Sequence, residues 1–234
     1  MKPRDLPVEG RELKGIHFAM EFLTQQNRVL KGQKIPDKDR INAKGKNVLV
    51  IGGGDTGSDC IGTSARHGAK SILQIEILPK PPEERLPDNP WPYWANIMRT
   101  SSSHEEGCER RWNIATTRFM GKNGQVTQAE IMEVDWVNEN GKMTMVEKAE
   151  TTKIIDIDLV LLAMGFLHPV HEGIADEFGL EYDTRGNIKV DAKYQTSVPR
   201  VFAAGDSMMG ASLVVRAINH GRQAAGAIHE FVAK

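Results

Sequence analysis

The sequence has few cysteines, and this scarcity argues against several kinds of site. Its two cysteines, Cys60 and Cys108, are far apart and form neither a CxxC pair nor a metal-spaced set with histidines. We therefore predict no zinc site, iron–sulfur cluster or redox dithiol within this sequence, and hence no metal ligands. So few cysteines also favour a reducing, cytoplasmic location.

The sequence also lacks an excess of charge and a long hydrophobic run. Thirty Lys and Arg residues against thirty-one Asp and Glu residues give a formal net charge of −1. This balance argues against nucleic acid or an anionic membrane as a partner. The longest apolar run, Leu159–Gly165, is too short to cross a bilayer, and the polar N-terminus has no signal-peptide core.

A strand–helix–strand unit is the clearest structural signal. Asn47–Ile51 (NVLVI) is typical of a buried strand, Asp55–His67 of a helix closed by a glycine, and Lys70–Leu78 of a second strand. Three such elements within about 30 residues predict a βαβ unit with parallel strands. The fold class is therefore α/β.

Proline dominates the segment that follows. Six of the eleven prolines lie between positions 79 and 92, which excludes a regular helix or a central strand there. We expect an ordered loop that carries Trp91, Tyr93 and Trp94. Its role stays open among covering a nicotinamide, contacting a partner domain and a purely structural one.

The other segments give weaker patterns. Residues 1–45 are expected to connect domains and to include a short helix near Ile16–Gln26. Turn signals between residues 112 and 160 predict an antiparallel meander. The remaining expected elements are a buried strand at Asp158–Met164 that ends at Gly165, a buried strand at 201–204 and a helix from about Ser212 to Val232.

Residues 52–57 read G-x-G-x-x-G, directly between the first strand and the helix. In that context Gly52 permits a tight turn, Gly54 lets the backbone approach a pyrophosphate and Gly57 lets the helix pack on the strand. The N–H groups at the helix start then face phosphate with the helix dipole behind them. The candidate dinucleotide-binding residues are Gly52, Gly53, Gly54, Asp55, Thr56 and Gly57.

Nucleotide preference is predicted from the end of the second strand. Glu76 lies 19 positions after Gly57, close to the offset of about 20 at which a carboxylate accepts from the ribose 2′-OH. A carboxylate would repel the 2′-phosphate of NADPH, so the sequence favours NADH. Lys80 and Arg85 follow closely and offer the alternative of a 2′-phosphate site.

A second motif resembles the flavin-binding end of two-dinucleotide-domain flavoproteins. Residues 196–206 (TSVPRVFAAGD) end in Gly205 and Asp206, and a helix that begins with Ser212 and Leu213 is expected at 212–225. These four residues and Gly165 complete the set of candidate cofactor-binding residues. The resemblance implies that Asp206 accepts from the ribityl chain of FAD. It also implies that the helix start faces the flavin ring, where its dipole stabilises negative charge.

Longer segments are similar to one family, the glutamate synthase small subunit. They are RDLPVEGRELKGIHFAMEFL at 4–23, VIGGGDTGSDCIGTSARHGA at 50–69, EILPKPPEERLPDNPWPYW at 76–94 and SSSHEEGCERRW at 101–112. The resemblance implies hydride transfer from NAD(P)H to FAD, then electron flow through iron–sulfur clusters to a large subunit that makes glutamate. Within the family, the proline-rich loop resembles that of the NADH-using branch.

The family pattern also predicts domain boundaries. We expect a connection from the FAD domain at 1–45, a Rossmann-like NAD(P)H-binding domain at 46–165 and the C-terminal part of the FAD domain at 166–234. The family's cysteine-rich cluster domain and first FAD-binding βαβ unit have no counterpart here. The sequence is therefore expected to be a fragment that needs the missing N-terminal half, and the large subunit, as partners.

No side chain is predicted to be catalytic, because hydride transfer between two cofactors needs alignment rather than an acid or base. We expect His104–Cys108 to be a loop and His168 and His171 to be structural. The absence of a CxxC pair disfavours a thioredoxin-reductase-like activity. The alternative function is a nucleotide-binding or docking module without turnover of its own.

Overall fold

The computed structural model describes residues 1–139 and 141–233, and these fall into two units. The larger unit is Asp5–Met164. The smaller unit combines Met1–Arg4 with the described residues from Gly165 onward. None of the helices in the described part of the chain is long and apolar enough to span a membrane.

The described residues of the larger unit form eight strands in two sheets, three α-helices and one 3₁₀ turn. The strands are β1 (Ile16–Phe18), β2 (Asn47–Ile51), β3 (Ser71–Ile75), β4 (Glu109–Arg111), β5 (Ile114–Lys122), β6 (Gln125–Glu139), β7 (Lys142–Asp156) and β8 (Leu159–Leu162). The helices are α1 (Ala19–Leu30), α2 (Asp55–Arg66) and α3 (Ser102–Glu105), and a 3₁₀ turn covers Asp37–Asp39.

Five strands form a parallel sheet in the order β1-β8-β2-β3-β4. The prediction of a parallel βαβ unit is confirmed: β2 and β3 pair in parallel from Asn47 opposite Ser71 to Ile51 opposite Ile75. The α/β fold class is likewise confirmed. The second strand ends earlier than expected, at Ile75.

The parallel sheet is buried on both faces, which explains the continuous apolar run of β2. Val48 and Val50 pack with Phe22 of α1 and Ile61 of α2 on the helical face. Leu49 and Ile51, which alternate with them along the strand, point to the other face and pack against the antiparallel strands. The β2 sequence therefore could not alternate between apolar and polar residues.

The predicted meander is a three-stranded antiparallel sheet in the order β5-β6-β7. Phe119, Val126 and Ile131 are at most 2% exposed and form the side that covers the parallel sheet. Strand β4, which pairs in parallel with β3, was missed by the sequence analysis because Glu109–Arg111 contains only charged residues.

The segment expected to connect domains contributes secondary structure to the larger unit. Ile16–Phe18 was expected to begin a helix, but it forms β1 and pairs in parallel with β8. The helix begins at Ala19, three residues later than expected, and buries Phe22 completely. The residues between 79 and 92 form no helix or strand, as the prolines predict.

The smaller unit has little regular strand structure. Its helices are α4 (Ile174–Glu177), α5 (Asp206–Met209) and α6 (Val214–Val232). The prediction of a buried strand at 201–204 is wrong: these residues are half-buried, and only Phe202 forms a bridge, with Gln195. A buried strand needs neighbours on both edges, and within the described residues this segment pairs only with 194–196.

Candidate nucleotide and flavin sites

The glycine-rich turn connects the C-terminal end of β2 to the start of α2. Gly52 has a φ of +115°, which favours glycine, and its N–H donates to the Ile75 carbonyl oxygen at 2.9 Å. A Cβ at Gly52 would overlap the Ala163 carbonyl oxygen, just after β8. Any larger residue would therefore clash with the neighbouring strand's backbone.

Gly57 and Gly54 face different surroundings. A Cβ at Gly57 would overlap the Gly52 carbonyl oxygen and lie 3.0 Å from Nε2 of Gln74. Gly57 therefore allows α2 to approach the turn, as expected. No atom lies within 4 Å of a Cβ built at Gly54, so this side of the turn is open for a ligand to approach the backbone.

Helix α2 begins at Asp55 with an uncapped N-terminus. Gly54 is the N-cap residue and provides no side chain to the first-turn N–H groups. Those groups, which include the N–H groups of Asp55, Thr56 and Gly57, have no acceptor within the helix. They therefore suit an anion such as a diphosphate, which the helix dipole also favours.

Glu76 follows directly after β3 and its side chain reaches the glycine-rich turn. Its N–H donates to the Arg111 carbonyl oxygen at 2.9 Å, and its own carbonyl oxygen accepts from Ile114 N–H at 2.9 Å. A Cβ at Gly53 would overlap Oε1 of Glu76, so the carboxylate lies against the turn. Burial raises the pKa of Glu76, and the nearby Arg110 guanidinium partly opposes that rise.

Two cations lie over the ring of Trp112. The Lys80 ammonium is 5.7 Å and the Arg110 guanidinium 5.1 Å from the centre of the Trp112 ring. Arg85, the other alternative phosphate partner, instead donates to the carbonyl oxygens of Asn89 at 3.0 Å and of Tyr93 at 3.1 Å. Of the two residues predicted as alternative partners of a 2′-phosphate, only Lys80 lies over the Trp112 ring among the described contacts, whereas the Arg85 guanidinium bonds to backbone oxygens of its own loop.

The flavin-motif residues lie in the smaller unit. Gly205 is buried with a φ of +65°, and a Cβ there would lie 3.2 Å from the Ala217 side chain on α6. Asp206 is half-buried and begins the short helix α5. The expected long helix begins at Val214, so Ser212 and Leu213 immediately precede its first turn.

Gly165 and the two nearby histidines also lie in the smaller unit. Gly165 has a φ of +82°, and its carbonyl oxygen accepts from Arg4 N–H at 2.9 Å. The rings of His168 and His171 stack with centroids 4.4 Å apart, and Tyr182 stacks on His171 at 3.8 Å. The two histidines thus pack against each other and against Tyr182, which fits the structural role expected for them from the sequence.

A family model described as pyridine nucleotide-disulphide oxidoreductase matches residues 1–221. The chain belongs to this family. The resemblance to glutamate synthase small subunits is also confirmed: the chain is 45% identical over 232 residues to the glutamate synthase (NADPH) small chain of Mycobacterium tuberculosis. It is 45% identical over 232 residues to the glutamate synthase (NADH) of Schizosaccharomyces pombe.

These matches cover different shares of the two relatives. They span 98% of this chain and 47% of the bacterial protein, and 95% of this chain and 11% of the yeast protein. The chain therefore spans about half the length of the bacterial small chain. Because one relative is named for NADPH and the other for NADH at equal identity, the names alone give no nucleotide preference.

Two solved structures share the fold of this chain. The T. acidophilum thioredoxin reductase aligns with a TM-score of 0.64 at 22% identity, over 100% of this chain and 64% of that one. Mycobacterium tuberculosis FprA in complex with NADPH aligns with a TM-score of 0.69 at 14% identity, over 99% and 61%. At these identities the likeness concerns the fold alone.

The two cysteines of this family member are both free thiols in the structure. Cys60 is fully buried in α2, and burial raises its pKa to about 12. Cys108 is half-buried and its Sγ contacts the His104 carbonyl oxygen at 3.9 Å. Among the described residues, no three His, Cys, Asp or Glu side chains are grouped so as to hold a metal ion.

Two contacts that hold the glycine-rich turn and its helix were not predicted from the sequence. Gln74, in β3, donates from Nε2 to the Gly52 carbonyl oxygen at 3.0 Å. Ser58 of α2 is hydrogen-bonded to Ser101, whose hydroxyl also contacts Nδ1 of His104 at 2.9 Å. A glutamine between Leu73 and Ile75 in the strand SILQI was the available signal for the first contact.

Proposed function

We propose that this chain provides the pyridine-nucleotide site of a glutamate synthase small-subunit-like flavoprotein, which passes a hydride from NAD(P)H to FAD. The observation that carries the proposal is the turn between β2 and α2, which is open at Gly54 and faced by the Glu76 carboxylate at Gly53. Its glycines, uncapped helix start and carboxylate match the three requirements of a dinucleotide: close backbone approach, anion binding and ribose recognition.

The proposed binding mode assigns a part of the nucleotide to each feature. The diphosphate lies at the N–H groups of Gly53 to Gly57. The hydroxyl groups of the adenosine ribose donate to the Glu76 carboxylate, which orients the ribose. Because that carboxylate repels a 2′-phosphate, we propose NADH as the preferred donor. Lys80 and Arg110 on the Trp112 ring are the groups that would support NADPH if the preference were reversed.

FAD is the proposed hydride acceptor. In this proposal Gly205 and Asp206 hold the ribityl chain, Ser212 and Leu213 bring the start of α6 to the flavin ring, and Gly165 is a further flavin-contacting residue. When bound, the flavin supplies the redox chemistry, whereas these residues orient it. The bacterial relatives are about twice as long as this chain, so we propose that residues outside it complete the flavin site.

The partner and the electron path follow from the same relatives. A protein named as a small chain implies a larger one, and we propose a glutamate synthase large subunit as the electron destination. Iron–sulfur clusters in a domain outside this chain would connect the two. For this chain alone, we propose weak FAD binding, and a purified sample with one tightly bound flavin per chain would contradict this.

Titration with NADH and with NADPH tests the nucleotide site directly. We expect tighter NADH binding by calorimetry, and we expect Glu76→Gln to narrow the difference between the two nucleotides. Glu109→Gln is the matched control, since it removes the same charge from an exposed side chain on β4 that pairs with Arg111. Tighter NADPH binding by the unmodified chain would overturn the NADH preference.

Turnover separates an oxidoreductase component from a docking module. The chain is given NADH and ferricyanide with and without added FAD. We expect reduction of ferricyanide only when FAD is present, because the proposed hydride acceptor is the flavin. Nucleotide binding without any FAD-dependent reduction, at saturating flavin, would favour the docking alternative for this chain.

A further inference from the structure

Gln74 is a polar side chain in the middle of an apolar strand. It is 1% exposed, and both ends of its amide are hydrogen-bonded. Nε2 donates to the Gly52 carbonyl oxygen at 3.0 Å, and Oε1 accepts from Nε of Arg110 at 3.1 Å. A buried amide destabilises a fold unless it is satisfied, so its position here calls for a specific role.

The hydrogen bond from Gln74 fixes the direction of one peptide group. In a planar trans peptide, the carbonyl oxygen and the following N–H point in opposite directions. With the Gly52 carbonyl held toward Gln74, the N–H of Gly53 points away from Gln74. Had this peptide rotated, the Gly52 oxygen would face the ligand side and repel an anionic phosphate.

Arg110 determines which end of the amide faces the turn. A glutamine amide that flips would place its oxygen against the Gly52 oxygen, and two acceptors cannot bond. Arg110 prevents the flip because its guanidinium can only donate, so it selects Oε1. Its Nη1 also donates to the Arg99 carbonyl oxygen at 3.2 Å, which connects it to the residues after the proline-rich loop.

We propose that Gln74 is a positioning residue for the diphosphate: it holds the Gly52–Gly53 peptide so that the Gly53 N–H is presented to a phosphate oxygen. Arg110 acts through Gln74 by fixing the orientation of its amide. This inference rests on the proposed function, since it assumes that a dinucleotide binds at the turn. Neither residue contacts the reacting atoms.

The first test replaces Gln74 with methionine, which has a similar length and no hydrogen-bonding amide. Leu73→Met is the matched control on the same strand, since Leu73 packs against the other face of the sheet. We expect Gln74→Met to weaken NADH binding by about tenfold or more, because a hydrogen bond to a charged phosphate is lost. Leu73→Met should bind as the unmodified chain does.

A spectroscopic measurement separates positioning from a general loss of structure. The amide resonance of Gly53 is followed in ¹⁵N-labelled protein during NADH titration. We expect a large shift of this resonance in the unmodified chain and a much smaller one in Gln74→Met at saturating NADH. The other turn amides should still respond to the nucleotide in both proteins.

A double-mutant cycle tests the role of Arg110. It compares the effect of Arg110→Met on NADH affinity in the unmodified chain and in Gln74→Met. Arg110→Met should weaken NADH binding much more in the unmodified chain than in Gln74→Met, because both changes release the same peptide. The effect that remains in Gln74→Met is the direct one of Arg110 on Glu76. If the two effects multiply, Arg110 acts independently of Gln74 and that part of the proposal is wrong.

The outcomes distinguish this inference from the proposed function. An unmodified chain that binds neither NADH nor NADPH would refute the nucleotide site itself and the inference with it. An unmodified chain that binds NADH, with Gln74→Met equal to it in affinity and in the Gly53 shift, would overturn the inference alone.

Discussion

The carboxylate of Glu76 occupies the space that a side chain at Gly53 would fill. A side chain at position 53 would therefore meet only the end of the Glu76 side chain, just after β3, whereas a side chain at Gly52 or Gly57 would meet mainly backbone atoms. This relationship connects two parts of the proposed site that are more than twenty residues apart. The glycine makes room for the carboxylate, and the carboxylate would recognise the ribose.

Gly53→Ala should weaken nucleotide binding without unfolding the protein. The added methyl displaces Glu76 Oε1, which is the end of a flexible side chain and can move at low cost. We expect the dissociation constant for NADH to rise by about tenfold, which corresponds to about 1.4 kcal/mol. Isothermal titration calorimetry measures the affinity and circular dichroism the melting temperature.

Gly221→Ala is the control for that substitution. It lies within α6, and nothing lies within 4 Å of the added Cβ. An alanine in a helix interior should raise stability by roughly 0.5–1 kcal/mol and leave NADH affinity unchanged. A normal affinity for Gly53→Ala would show that Glu76 does not need its present position to bind the nucleotide.

Glu76→Gln should remove a pH-dependent cost to stability. Burial raises the pKa of Glu76 above its usual 4.5, so the folded chain holds this proton to higher pH than the unfolded chain. The contribution of the protonated Glu76 carboxyl to the free energy of unfolding is therefore present at low pH and is lost as pH rises through the folded-state pKa. We expect Glu76→Gln to be more stable than the unmodified chain at pH 7, and the difference to disappear near pH 4.

The size of that effect is limited because the Glu76 carboxylate is only half-buried and Arg110 partly compensates its charge. We expect less than about 1 kcal/mol at pH 7, measured by urea denaturation at several pH values. Equal stability of the two proteins at every pH would show that the carboxylate is solvated in the folded chain.

The glycine-rich turn between β2 and α2 was predictable because its signals are local. The apolar run Asn47–Ile51, the glycines at 52, 54 and 57 and the following helix are contiguous in sequence, and the structure keeps them together. The offset to Glu76 also follows from a regular βαβ unit. In each case, a short stretch of chain contains the residues that determine the geometry.

Features that depend on distant residues were predicted poorly. Ile16–Phe18 is extended because β8, more than 140 positions later, offers an edge to pair with. The residues at 201–204 have the composition of a buried strand, yet they lack the neighbours that would make one. The amide of Gln74 became interpretable only once Gly52 and Arg110 were seen on either side of it.

His67 should make the larger unit less stable in mild acid. Its Nδ1 accepts from Ala43 N–H at 3.4 Å, which leaves Nε2 to donate to Oε1 of Gln26 at 2.9 Å. Both contacts use the neutral ring, and burial together with the positive charge of Arg40 lowers the His67 pKa below 6.5. Protonation would require the loss of the Ala43 contact.

The sign of the pH effect follows from that lowered pKa. Below pH 6.5 the unfolded chain binds a proton that the folded chain does not, so stability falls as pH decreases from 6.5 toward the folded-state pKa. We expect His67→Gln to reduce this slope in urea denaturation between pH 7 and 5. Some slope should remain, because the pKa values of His17 and His104 are also lowered by burial. An unchanged slope in His67→Gln would contradict the assignment.

Cys60 should be unreactive toward thiol reagents in the folded protein. Its side chain is fully buried in α2, and its pKa of about 12 leaves about one thiol in ten thousand ionised at pH 8. We expect iodoacetamide to modify only Cys108 in the native state, and slowly, since burial raises that pKa as well. Both cysteines should react fully in guanidinium chloride.

Mass spectrometry of the labelled peptides measures the two rates separately, and Cys60→Ala provides the matched control. The native labelling of this variant should equal that of the unmodified chain, whereas Cys108→Ala should show almost none. Rapid native labelling of Cys60 would mean that α2 opens readily, because the thiol lies among the buried residues of this helix. Such opening would also disturb the glycine-rich turn, so the same experiment reports whether the proposed nucleotide site is preformed.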